Sequence, residues 1–81
     1  MAGDRLQDLI AYIASSLVDE PDAVEVSVVD EDRAIVLELT VAPDDLGKVI
    51  GKEGRTARAM RTLLSATSAR MRKRAILDIL E

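Results

Sequence analysis

Histidine, cysteine, phenylalanine and tryptophan are all absent from this 81-residue chain, and tyrosine occurs once, at Tyr12. Each absence removes a class of function. Without His or Cys there is no imidazole acid–base group, no thiol nucleophile, no ordinary zinc ligand set and no disulfide framework. Without exposed rings, the two common single-strand platforms that stack bases on aromatic side chains, the RNA-recognition-motif sheet and the oligonucleotide-binding barrel, are nearly excluded. No apolar run approaches the ~18 residues of a spanning helix and no charged-then-apolar leader opens the chain, so a soluble, cytoplasmic protein without membrane contact is expected. The acidic clusters Asp19-Glu20-Asp22 and Asp30-Glu31-Asp32 fall in predicted turns and lack the spacing and central Gly of a calcium loop. The phosphate-binding pattern GxxxxGK[ST] is missing as well. The expectation is therefore no enzyme, no catalytic residues, no metal and no cofactor.

The charges that are present are unevenly placed. Net charge is −4, which at first argues against a polyanion as partner. Residues 1–45 carry 2 basic and 12 acidic side chains, whereas residues 46–81 carry 9 basic and 3 acidic ones. The second half is thus a basic footprint on an otherwise acidic molecule, the distribution expected of a nucleic-acid binder with low non-specific affinity.

The length suits a single domain, 1–81, with one core. From Asp4, a candidate N-cap, to Leu17, the residues Leu6, Leu9, Ile10, Ile13 and Leu17 recur at helical spacing. Val24, Val26 and Val28 alternate with polar residues, and so do Ile35, Leu37, Leu39 and Val41 after a turn at 30–32, which predicts a β-hairpin. A short helix follows over Asp44–Ile50, started by Pro43 and by acidic residues at its positive end. A longer helix runs from Gly54 to about Met71, with Ala57, Met60, Leu64, Thr67 and Met71 in one stripe and Arg55, Arg58 and Arg61 on another flank. Ala75–Leu80 alternates again as a third strand. The order is α-β-β-α-α-β, an α+β fold.

Between the two later helices lies Gly51-Lys52-Glu53-Gly54. Glycine accepts φ > 0 and has no Cβ, so a sugar–phosphate chain can approach the main chain there. The N–H groups that open the following helix have no internal partner and suit an anion. Lys52 adds a mobile positive charge. Glu53 is the awkward member, since a carboxylate must either turn to solvent or weaken phosphate binding.

The stretch Ala42-Pro43-Asp44-Asp45-Leu46-Gly47-Lys48-Val49-Ile50-Gly51-Lys52-Glu53-Gly54 resembles the signature of a KH domain, whose GXXG loop clamps about four nucleotides of single-stranded RNA. Two glycines three apart are weak evidence alone, but the aliphatic pair before them, the lysine between them and the flanking strand and helix make the pattern specific. With its small size and element order, nearly the whole chain resembles the bacterial KhpA family of stand-alone KH proteins. The resemblance implies the type II KH arrangement, a three-stranded sheet with three helices packed on one face. It further implies RNA contact by Lys48, Val49, Ile50, Gly51, Lys52, Glu53, Gly54, Arg55 and Arg58, with one of Val49 and Ile50 in the core and the other in the groove. Arg61 is a weaker candidate, and Arg72-Lys73-Arg74 reads more readily as solubilising a strand entry.

A single clamp is weak, and useful affinity calls for more than one on the same RNA. A homodimer or a hetero-complex with a second KH-containing protein is expected on that ground and from the resemblance, which also implies RNA chaperoning or post-transcriptional regulation and control of cell elongation or division. The rival reading is a protein–protein adaptor, with Val49, Ile50, Met60 and Leu63 at its interface and RNA contact incidental. Single-stranded DNA is a third possibility.

Overall fold

The computed structural model describes residues 2–81, with side chains from Asp4 onward. Helix α1 spans Ala2–Leu17, strands β1 and β2 span Glu25–Asp30 and Ala34–Thr40, helices α2 and α3 span Leu46–Ile50 and Arg55–Thr67, and strand β3 spans Arg74–Ile79. Single 3-10 turns precede β1, α2 and α3, at Pro21–Ala23, Pro43–Asp45 and Lys52–Gly54. The expected α-β-β-α-α-β order is present.

The sheet is mixed, with β2 in the centre. β1 pairs with β2 antiparallel, Val26 opposite Leu39, as the short turn between them requires. β2 pairs with β3 parallel, Leu37 opposite Leu77, and a parallel pair needs a crossover, which α2 and α3 supply. Alternation sends Ile35, Leu37 and Leu39 to one face, where they are at most 2% exposed. All three helices lie on that face: α1 over β1 and β2, α3 over β3, and α2 against both helices. Leu6, Ile10, Ala14, Val49, Met60 and Leu64 complete an aliphatic core.

Several boundaries differ from those expected from sequence. α1 begins at Ala2, so Asp4 lies within its first turn and is not its N-cap. Its buried stripe steps by four, Leu6, Ile10 and Ala14, and leaves Leu17 exposed at the helix end. The segment expected as one helix over Asp44–Ile50 is a 3-10 turn followed by α2. α3 stops at Thr67, four residues short of Met71, and Ser68 takes the next buried position after Leu64 while Thr67 faces solvent. Both residues sit at helical spacing from Leu64, so periodicity alone leaves the phase of that last turn open. Residues 68–73 form turns, with Arg72 in the left-handed region at φ 57°.

Candidate nucleic-acid interface

The turn between α2 and α3 is built around two glycines with different duties. Gly51 ends α2, its N–H donating to the Gly47 carbonyl at 2.8 Å, and takes φ 78°, ψ 170°, a region essentially closed to other residues. A Cβ there would lie 2.2 Å from Thr56 Oγ1 and 2.8 Å from the Thr56 Cβ and backbone nitrogen. The position is therefore closed by the protein itself. Gly54 also has positive φ, 73°, and its N–H donates to the Gly51 carbonyl at 3.1 Å. A Cβ on Gly54, however, would meet no atom within 4 Å. The main chain is bare at Gly54 on a side that faces open space.

Between them, Lys52 is exposed, and its ammonium has no hydrogen-bond or ion-pair partner among the described residues, while its carbonyl accepts the Arg55 N–H. Glu53 holds a left-handed conformation, φ 58°, ψ 26°, uncommon for a residue with a side chain and worth noting at a loop tip. Its carboxylate turns toward Arg55, with Oε2 3.5 Å from Nη2, and its carbonyl accepts from Arg58 Nη2 at 3.3 Å. The awkward negative charge is thus directed back to the first turn of α3 and partly offset there. Arg58 ties the loop backbone to the helix. Gly54 gives α3 no side-chain cap, which leaves part of the helix N-terminus to water or a ligand.

Of the flanking residues expected at an RNA surface, Ile50 is half-buried beside Gly51, whereas Val49 is fully buried in the core. Arg55 and Arg58 are exposed at the loop end of α3. Arg61, one turn further, donates from Nη2 to the Leu77 carbonyl at 3.4 Å on the free edge of β3. Lys48 is drawn elsewhere. Its Nζ lies 2.9 Å from Asp19 Oδ2 and 3.4 Å from Asp45 Oδ1, facing the acidic turn after α1.

Asp45 was read from sequence only as a dipole-complementing residue and has a larger role. It is 2% exposed and accepts the backbone N–H groups of Asp19 at 3.2 Å and Glu20 at 3.0 Å. One side chain thereby fastens the end of α1 to the start of α2 and so fixes where the loop begins. Burial pushes the Asp45 carboxyl up, but the two amides and Lys48 outweigh it and the net displacement is below the ordinary 3.8. Hydrogen bonds that Lys48 donates to the Asp19 and Asp45 carboxylates hold its ammonium above the ordinary 10.5. With the folded carboxyl value depressed, its stabilisation is present above the ordinary carboxylate pKa and lost as pH falls through the folded value. With the folded ammonium value raised, its share is full below 10.5 and lost as pH rises through the folded value. Asp45→Ala removes the acceptor of two part-buried backbone hydrogen bonds and is expected to lower Tm on the order of 10 °C at neutral pH. Thermal melts from pH 7 down to pH 2 should show the gap to wild type narrowing as Asp45 protonates; a constant gap would refute the assignment.

Among the described residues, no group of acidic side chains is placed to hold a metal ion, and no helix is long and apolar enough to cross a membrane.

Comparison with known proteins agrees with this geometry. Residues 7–79 match the family described as KhpA/KhpB, KH domain. The chain is 51% identical over 73 residues to the RNA-binding protein KhpA of Caldanaerobacter subterraneus subsp. tengcongensis, covering 90% of this chain and 97% of that one. It is 49% identical over 75 residues to the RNA-binding protein KhpA of Clostridium acetobutylicum, covering 93% and 100%. The RNA-binding protein KhpA of Aquifex aeolicus is 47% identical over 76 residues, covering 94% and 96%. With a type II KH topology, a GxxG turn open at its second glycine and similarity that spans nearly the whole chain, the protein belongs to the KhpA/KhpB family of KH domains.

Proposed function

We propose that this protein binds unpaired RNA, gripping about four nucleotides in the loop Gly51–Gly54 and against the first turns of α3. The observation that carries the reading is the contrast between the glycines: Gly51 is required by the fold, whereas Gly54 has no packing reason to lack a side chain. A bare main chain at Gly54, beside a Lys52 ammonium without a partner and a helix N-terminus without a side-chain cap, is what a phosphate needs. Ile50 offers an apolar edge for a base, and Arg55 and Arg58 stand beside the loop for the neighbouring phosphates. Lys48, held by Asp19 and Asp45, positions α2, and Val49 supports the loop from within the core.

The burial pattern favours this over the adaptor reading. Val49 and Met60, two of the four residues an adaptor surface would use, are 0% and 1% exposed. A single clamp with ~3 to 4 phosphate contacts is weak, so the working unit is two clamps on one RNA, in a homodimer or with a second KH protein, acting as an RNA chaperone or regulator in the cytoplasm. Titrating a random single-stranded RNA pool at two salt concentrations tests the core claim. The expected slope of log affinity against log salt is roughly −2 to −3 for one clamp. A duplex of the same length should bind more weakly, and a matched DNA strand reports whether the 2′-OH is read. Absence of salt-dependent binding to any single strand, with the protein folded, would sink the proposal.

A further inference from the structure

The sheet has a second face, which no described element covers, since all three helices pack on the other. Alternation sends Val29, Val36 and Ile76 to this open face. Register sets them side by side, Val29 opposite Val36 and Val36 opposite Ile76, in an apolar row that crosses all three strands. Val29 is 44% exposed and Ile76 37%. β2 and β3 carry unbroken apolar runs here, 34–37 and 75–77. Such runs are typical of parallel strands covered on both faces, whereas a solvated face alternates with polar residues.

The neighbouring rows define the partner. Glu38 stands opposite Asp78 on the same face, and neither carboxylate has a hydrogen-bond or ion-pair partner among the described residues. Like charges placed opposite each other on adjacent strands are destabilising, and a cation laid over the pair relieves them. Glu25 adds a third carboxylate one row further on, and by the same alternation Leu80, 40% exposed, follows Asp78. This face repels a nucleic-acid backbone. It also suits a second copy poorly. Arg74 is the one cation that the strands place on it, so two copies would set two cations against six carboxylates. Successive rows of one face lie ~6.6 Å apart along a strand, and a helix laid along the strands advances ~6 Å in four residues. A helix with an apolar side chain at one position, Lys or Arg four residues on and a second apolar side chain four residues beyond would meet Ile76, the Glu38–Asp78 pair and Leu80 in turn.

We propose that the open face of the sheet is a docking site for a basic amphipathic helix of another protein. The helices that carry the clamp lie on the opposite side of the sheet, so the partner and RNA are held together by one domain. The docking site itself does not depend on the clamp reading; only the joint occupancy draws on it.

The probe is a labelled helical peptide with Leu, Lys and Leu at this spacing, set against the same peptide with Glu in place of Lys. Fluorescence anisotropy gives affinities, and amide shifts in the NMR spectrum give the location. Wild type should bind the Lys peptide about tenfold more tightly than the Glu peptide, with shifts at Val36 and Ile76. Glu38→Lys/Asp78→Lys should reverse that preference, and Ile76→Asp should weaken the Lys peptide about tenfold. Circular dichroism checks folding; if charge reversal perturbs it, Glu38→Gln/Asp78→Asn should cost the Lys peptide about tenfold instead. Equal binding of the two peptides, no binding, or shifts confined to the helices would overturn the docking site. A wild-type dimer in sedimentation that Ile76→Asp dissolves would give the face to a second copy and overturn it as well. Saturating peptide should leave the affinity for single-stranded RNA unchanged, and RNA that displaces the peptide would overturn joint occupancy. The clamp variant Lys52→Asp/Glu53→Asp should bind the peptide as wild type does, so docking is decided whether or not the clamp holds RNA.

Discussion

Replacing Gly51 by alanine should destabilise the domain by about 3 kcal/mol and lower Tm by roughly 15 °C, whereas alanine at Gly54 should cost about 1 kcal/mol. Two penalties combine at Gly51. Its backbone, φ 78° and ψ 170°, lies where residues with a Cβ are scarcely found, and the added methyl would sit 2.2 Å from Thr56 Oγ1. The obstruction includes the Thr56 backbone nitrogen at 2.8 Å, so a side-chain rotation does not remove it. Adding Thr56→Ala to Gly51→Ala should therefore restore only part of the loss. At Gly54 the left-handed φ is the whole cost, because nothing stands within 4 Å of the new methyl. A domain of this size has only about 4–12 kcal/mol in total, so the first variant is marginal and the second is intact. Thermal melts of the two proteins decide the point. Equal losses would mean that Gly51 has no packing role beyond its backbone conformation. RNA binding should rank differently: folded Gly54→Ala protein loses affinity about tenfold, because the methyl occupies the space a strand would use.

How much of this was legible in the sequence depends on the range of the contact involved. The strand alternation of Ile35, Leu37 and Leu39, the stripe Ala57, Met60 and Leu64, and the glycine pair are all local patterns, and each predicted its element. The roles of Lys48 and Asp45 were not local. Lys48 sits one turn before the loop and looks like a phosphate contact until the fold brings Asp19, 29 residues earlier, to within 2.9 Å of it. Asp45 resembles Asp44 in sequence, yet one is exposed and the other is buried under the end of α1. The choice between Val49 and Ile50 follows from the rotation of α2 against α1 and α3, which two adjacent aliphatic residues cannot reveal. Arg33 shows the same limit on the scale of charge. The division into an acidic first half and a basic second half is real in the chain, but parallel pairing of β2 with β3 moves one cation across it and sets Asp30 against Lys73.

Charge reversal at the loop, Lys52→Asp with Glu53→Asp, should abolish most RNA binding while leaving the fold nearly unchanged, and the structure gives a reason for each half of that statement. The Lys52 ammonium is exposed and has no partner among the described residues, so removing it takes nothing from the folded state. Aspartate tolerates the left-handed conformation at position 53 better than glutamate does. The Glu53–Arg55 pair that is altered is exposed, at 3.5 Å, and such pairs contribute little. Arg58 holds the backbone carbonyl of residue 53, which the substitution keeps. Against that small structural cost, a strand in the clamp exchanges a cation for an anion at its closest approach to the loop. The loss of one charge-assisted contact and the new repulsion together amount to about 2–3 kcal/mol, or roughly 30- to 150-fold in affinity. The salt slope should fall by ~0.7, since one fewer counterion is released. Fluorescence anisotropy with a labelled single-stranded RNA, alongside a melt of each protein, measures both quantities. Unchanged affinity in a protein whose Tm is also unchanged would show that phosphates do not pass this loop.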